Sequence, residues 1–357
     1  MTNRDIDVRN LLLQNSDFIK TVLMLCVILC HSCAFWNGSW FSAITPVFQN
    51  EYIGYFANWL GTFHVYGFTV ISGFIYSYIR ENGGYSDMKV FVVKKINRLL
   101  LPYITVSILW VIPFSLLFYH NSVIDIVDDF LLGCGPSQLW FLLMLFGVFL
   151  VYRLIEPFIC NYRFCSALLL IVAFFIGYIG QVVCKNYFQI FTVLYYLLFF
   201  YIGGSLYKYC RVLKKIQYRH LIVIAIVQVF VYVVSVYCGF RVESHFRVVS
   251  KLLYMFSTVI GAVSYVLILA VIGNKCRCKG GVYLLMRKNN FFMYLLHQQL
   301  IYVTIYLLNG RIGPEVNSMV NFVVAICVSL MLSVGLHKSY LLSRILGETK
   351  NKMDGKS

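Results

Sequence analysis

Four ionisable side chains, Lys20, His31, His64 and His297, lie within long apolar stretches of the 357-residue chain. A charged or titratable group in hydrocarbon is costly, so each of the four is a candidate for chemistry. None of these stretches holds an Asp or Glu away from its edges, which counts against the buried carboxylate relays that proton-coupled transporters use. What remains is ammonium and imidazole chemistry. A neutral imidazole, with a pKa of about 6.5, can take up and release a proton near neutral pH. An ammonium near the membrane edge suits phosphate.

Spacing sharpens the first pair. Lys20 and His31 are eleven residues apart, which on a helix is three turns plus roughly 20° and a rise of about 16 Å, so they share a face. That layout suits an elongated anionic molecule, its phosphates on Lys20 and its reactive end at His31. A plainer reading has Lys20 snorkelling to headgroups beside Asp17 and His31 bridging helices by a hydrogen bond. His64 precedes Gly67, Ser72 and Gly73, small residues that let another backbone or a ligand approach closely. By helical rise it lies about 20 Å into its stretch, as His31 does in its own. His297 lies about 9 Å in, followed by the amides of Gln298 and Gln299. Lys94, Lys95 and Arg98 precede another apolar run, either as positive flanking or as a phosphate clamp.

The elements that must position these groups are membrane helices. The chain is 60% hydrophobic and 12% charged, against about 25% charged in soluble domains. Apolar runs long enough to span occur near 18–35, 55–78, 99–119, 139–155, 164–183, 188–207, 220–238, 252–273, 291–308 and 319–342. They predict an all-α polytopic bundle of about ten transmembrane helices. Pro113 is expected to kink its span, and Trp140 to anchor one at the interface. Of the 30 Lys and Arg, Lys185, Arg241, Arg247, Lys251 and Arg311 alone fall on one side, which puts both termini in the cytoplasm. The first span reads as retained rather than as a cleaved signal, and residues 1–357 read as a single membrane-embedded domain. The net charge of +16 is a topology signal, not a nucleic-acid footprint. The twelve cysteines are scattered, Cys276 and Cys278 forming only a lone C-x-C, so no metal site is expected.

Several of these pieces together resemble the acyltransferase-3 family of polytopic membrane acyltransferases. Asp17-Phe-Ile-Lys20 through Cys30-His31-Ser32 is similar to its opening signature of a basic residue and a later His. Phe63-His64-Val-Tyr-Gly67-Phe-Thr-Val-Ile-Ser72-Gly73-Phe74 resembles F-H-x-P-x-F-x-x-x-S-G-[FY], with Tyr66 in place of the proline. Lys95-Ile-Asn-Arg98 with Pro102-Tyr103 resembles R-x-x-R and L-x-P-Y. Leu139-Trp140-Phe141-Leu142 matches L-W-F-L, and Tyr294-Leu-Leu-His297-Gln298-Gln299 matches Y-L-L-H-x-P with Gln299 for the proline.

The resemblance implies a multi-pass enzyme of the cell (inner or plasma) membrane. Such an enzyme moves an acyl group, usually acetyl, from cytoplasmic acyl-CoA to a sugar hydroxyl of a surface polysaccharide or its lipid-linked precursor. It implies His31 as the catalytic histidine and Lys20, Lys95 and Arg98 as cations toward CoA, with Lys20 and Lys95 each replacing an arginine. Acetyl-CoA is then a co-substrate, with no permanently bound cofactor, and the other partners are the glycan acceptor and the bilayer. His31 serves as base or is itself acylated as a relay, while His64, His297 or Ser72 orients it or donates to the oxyanion. A lipid-linked glycan transporter or polymerase is the competing expectation. It would need a cationic cavity or basic external loops, and the external side holds few basic residues.

Overall fold

The structure is a computed structural model that describes residues 8–38, 40–210, 218–241, 243–276, 278 and 280–347. It is 85% helical with no strands among the described residues, an all-α bundle. Its main helices are α1 (Ser16–Cys33), α2 (Glu51–Gly61), α3 (His64–Glu81), α4 (Met88–Tyr119), α5 (Trp140–Asn161), α6 (Arg163–Val183) and α7 (Ile190–Tyr209). These are followed by α8 (Tyr218–Gly239), α9 (Ser244–Cys276), α10 (Gly281–Leu308) and α11 (Pro314–His337). All except α2 and α3 belong to nine helices, among the described residues, that are long and apolar enough to cross a membrane. Their outward faces are apolar: Val223, Ile226, Phe230 and Val233 of α8 are all more than half exposed. That pattern fits lipid rather than water as the surrounding solvent.

The expected span over 55–78 is realised as two helices, α2 and α3, broken at Thr62 and Phe63. At the break, Thr62 N bonds Trp59 O and Phe63 N bonds Leu60 O, a tightened three-residue spacing that re-aims the chain. A membrane helix tolerates such a break only where neighbours satisfy the freed groups. Around Pro113 the structure answers differently. Helix α4 runs on through two π-helical turns, Ile96–Leu100 and Ser107–Val111, the first just before Pro102 and the second just before Pro113. A proline ring clashes with the carbonyl four residues back, and the wider π turn makes room for it.

Packing divides the described residues into two compact units. The first takes the chain up to Asn82, Phe199–Tyr294 and Leu300–Ile326; the second takes Gly83–Leu198, Leu295–Gln299 and the chain from Cys327 onward. In the first unit, α1 pairs with α2 and α3 as an antiparallel hairpin. A Cβ on Gly54 would come within 2.6 Å of Trp36 O, and one on Gly67 within 3.1 Å of Leu23. Backbones touch where α3 meets α7: a Cβ on Gly73 would sit 2.0 Å from Phe200 O, and one on Gly203 1.9 Å from Val70 O. Gly73 of the S-G pair therefore serves close helix approach. In the second unit, Gly177 of α6 lies similarly close to the backbone of Phe191 and Tyr195.

Candidate active site

In the first unit, α1 carries Lys20 and His31 as the spacing requires. Lys20 Nζ lies 3.9 Å from Asp17 Oδ1, and the second carboxylate oxygen of Asp17 is taken by Arg287 Nη2 at 3.0 Å. Two cations thus flank one carboxylate at the start of α1. Arg287 carries no signal of its own in the sequence, being one of several basic residues before an apolar run. Thr21, buried one position on, bonds back to Asp17 O and receives Asn290 Nδ2 at 3.5 Å.

His31 is half-buried near the other end of α1. Its ring faces the indole of Trp40, centroids 5.2 Å apart, and Trp40 in turn meets Tyr302 at 4.9 Å. Next to the imidazole the helix end is braced. Ser32 Oγ donates to Ile28 O, and Asn321 Nδ2 donates to Ser32 O.

His64 opens α3, just past the break. Its Nδ1 lies 2.6 Å from Leu60 O. A carbonyl oxygen only accepts, so Nδ1 carries the hydrogen and Nε2 of the neutral ring keeps its lone pair. In that form the ring cannot donate from Nε2 to an oxyanion, one of the roles expected of it; it presents an acceptor. The break itself is held by Gln228 of α8, which is fully buried. Gln228 Nε2 donates to Thr62 Oγ1 and to Ser257 Oγ, both at 2.9 Å, while its Oε1 accepts from Trp59 Nε1 and Tyr265 OH, both at 3.2 Å. An amide in the middle of an apolar run is the sequence signal that points to it.

The two histidines do not share a level. Trp36 meets Gly54, Cys30 Sγ donates to Ala57 O, and Leu23 meets Gly67. His31 therefore lies beside the residues before Trp59, and His64 is about six residues further along, roughly 9 Å. Equal counts from the ends fail because those ends are not level: α3 runs on past the start of α1, its last residue Glu81 pairing with Arg9, which precedes α1.

In the second unit, His297 is fully buried within the short segment that α10 contributes there. The amides after it are engaged rather than free. Gln138 and Gln299 donate to each other at 2.7 and 3.0 Å, and Gln138 also donates to Leu295 O at 2.9 Å. Gln298 donates to Ser137 Oγ at 3.0 Å, and Trp110 Nε1 donates to Leu296 O at 3.3 Å. Ser137 holds this position in the left-handed region, φ 50°, a conformation that costs a non-glycine residue energy. Trp140, expected as an interfacial anchor, rests on Tyr196 with centroids 5.7 Å apart.

Lys95 and Arg98 sit beside and on the first π turn but have different surroundings. The Lys95 ammonium lies 3.3 Å from the Phe149 ring centroid, 5.0 Å from that of Tyr85 and 5.6 Å from that of Phe91. This is an aromatic cage around a cation. Arg98 is exposed, and one nitrogen donates to Gly347 O at 3.0 Å. Ser72 Oγ is turned back onto Phe68 O of its own helix at 2.7 Å. Among the described residues no group of His, Cys, Asp and Glu could hold a metal ion.

No curated protein and no solved structure matches the chain significantly. A family model described as an acyltransferase domain matches residues 13–338, which takes in α1 to α11 almost whole and every candidate residue from Lys20 to His297. With that match laid over a multi-pass helical bundle, the chain belongs to the acyltransferase-3 family of membrane acyltransferases.

Proposed function

We propose that this membrane acyltransferase takes acetyl from cytoplasmic acetyl-CoA and transfers it to a sugar hydroxyl of a cell-surface polysaccharide or its lipid-linked precursor. The enzyme sits in the cell's plasma (inner) membrane with both termini cytoplasmic, as the distribution of Lys and Arg supports. The observation that carries the reading is the placement of His31 and Lys20 on one helix of a family-matched chain, the imidazole half-buried beside Trp40 and the ammonium near the helix start.

On this reading neutral His31 accepts the hydroxyl proton as the sugar oxygen attacks the thioester carbonyl. The new C–O bond forms, the C–S bond breaks, and the imidazolium returns its proton to the departing CoA thiolate. Lys20, with Arg98 and Lys95, is assigned to the donor's phosphates, and His64 and His297 are further imidazoles assigned to the reacting groups. A positioned base contributes about 10² to 10⁴ in rate.

The test is transfer by the full-length protein in lipid nanodiscs, from isotopically labelled acetyl-CoA to surface polysaccharide stripped of esters by mild alkali. Labelled acetyl esters on the polysaccharide are expected, and His31→Ala should lose about 10²-fold or more in rate while inserting normally. A His31→Ala protein that transfers at the unmodified rate would remove His31 from the chemistry.

A further inference from the structure

We propose that Trp40 is the platform on which the acceptor's sugar ring stacks beside His31. This rests on the acyltransferase reading and deepens it by naming the acceptor subsite.

Trp40 lies nine residues beyond His31, after the helix has ended in a 3-10 turn over Ala34–Asn37 and a left-handed Gly38. The chain then doubles back, so that the indole lies 5.2 Å from the imidazole, tilted by 35°. Its neighbour Phe41 is buried and stacks on Tyr302 at 4.3 Å and 13°, whereas Trp40 stays half-open. Phe41 takes φ 52° to do so, a left-handed conformation that a bulky residue adopts only under constraint. Both side chains thus meet Tyr302, Phe41 buried against it and Trp40, at 4.9 Å, with part of its surface left open.

The connection is also tied down at several points. Trp36 Nε1 donates to Phe48 O at 3.1 Å, Asn37 donates to Asn58, and Asn309 receives Val47 N while donating to Thr45 O. A platform held this way loses little freedom when a ligand arrives.

The chemistry selects the occupant. The indole face carries the negative side of a quadrupole and attracts the C–H bonds of a pyranose face, which ring oxygens polarise positively. A sugar lying on that face has its ring edge, and so a hydroxyl, beside the imidazole that must take the proton. A lipid alcohol would bring a hydroxyl but no flat face to match the indole.

The experiment uses full-length protein in nanodiscs with acetyl-CoA and de-esterified surface polysaccharide, comparing Trp40→Leu with Trp40→Phe and Trp40→Tyr. Trp40→Leu should raise the half-saturating polysaccharide concentration about tenfold. The dependence on acetyl-CoA should stay unchanged, and the two aromatic variants should remain within about threefold of the original. Equal losses in Leu and Phe variants, or a loss confined to acetyl-CoA dependence or to folded yield, would overturn the assignment and leave Trp40 as packing. Absence of any transfer by the unmodified protein would overturn the acyltransferase substrate reading itself, and the assignment with it.

Discussion

The imidazole of His64 donates from Nδ1 to the carbonyl oxygen of Leu60 at 2.6 Å, across the break that separates α2 from α3. One ring nitrogen is spent on holding the helix together, which fixes the tautomer and leaves Nε2 as the nitrogen available to accept a proton.

This gives His64 two separable duties. His64→Asn can keep a donor at the Nδ1 position while removing the basic nitrogen, and His64→Ala removes both. His64→Ala is expected to lower stability by about 1 kcal/mol, the usual net worth of one hydrogen bond. His64→Asn should melt near the unmodified protein yet lose transfer activity about as much as His64→Ala. Thermal melts and initial rates on the same nanodisc samples check this; an Asn variant of full activity would limit His64 to bracing the break.

The glycines at the meeting of α3 and α7 are the next strong constraint. A methyl on Gly73 or Gly203 would meet backbone oxygen at 2.0 or 1.9 Å, and backbone cannot swing aside as a flexible side chain can. Each Gly→Ala change should cost about 3 kcal/mol or more through overpacking. A methyl on Gly335 of α11 would meet nothing within 4 Å, so Gly335→Ala should be neutral or stabilising by up to about 1 kcal/mol. Melting temperatures of the three variants give the comparison directly.

Lys95 and Arg98 separate on their surroundings. The Lys95 charge is already balanced by three rings, whereas Arg98 is exposed and tied to the backbone at Gly347 O. Lys95→Met should therefore lower stability by about 1 kcal/mol from the lost cation–π contacts. Its effect on the acetyl-CoA KM should be smaller than that of Arg98→Gln. KM values for the two variants decide it, and a larger rise in Lys95→Met would make the caged ammonium, not Arg98, the stronger of the two donor contacts.

A pH effect is expected in the connection after α4. Burial, reinforced by Asp125 and Asp128, raises the Asp129 carboxyl above its ordinary 3.8. The folded state then holds its proton more tightly than the unfolded state does, so stability falls as pH rises from the ordinary carboxylate range through that raised value. Asp129→Asn should remove this fall. Melting temperature followed over the acidic range measures it, and an unchanged profile in Asp129→Asn would assign the slope elsewhere.

Residue order alone establishes the medium and the class of chemistry. Runs of some twenty apolar residues permit only spanning helices, because backbone groups in hydrocarbon must bond within their own segment. The same runs make Lys20, His31, His64 and His297 conspicuous, since titratable groups are costly in hydrocarbon. The pairing of Lys20 with His31 on one face follows from helical period. Other relationships depend on residues distant in the chain and exist only in the folded molecule. The break at Thr62 is legible once Gln228, far along the sequence, is seen satisfying it. The same holds for Arg287 at Asp17, for Phe149 over Lys95 and for the indole of Trp40 beside His31. Apolar patterning says that a face is buried; which side chain meets it is set by helix packing, where one break or one glycine shifts the register of every contact that follows.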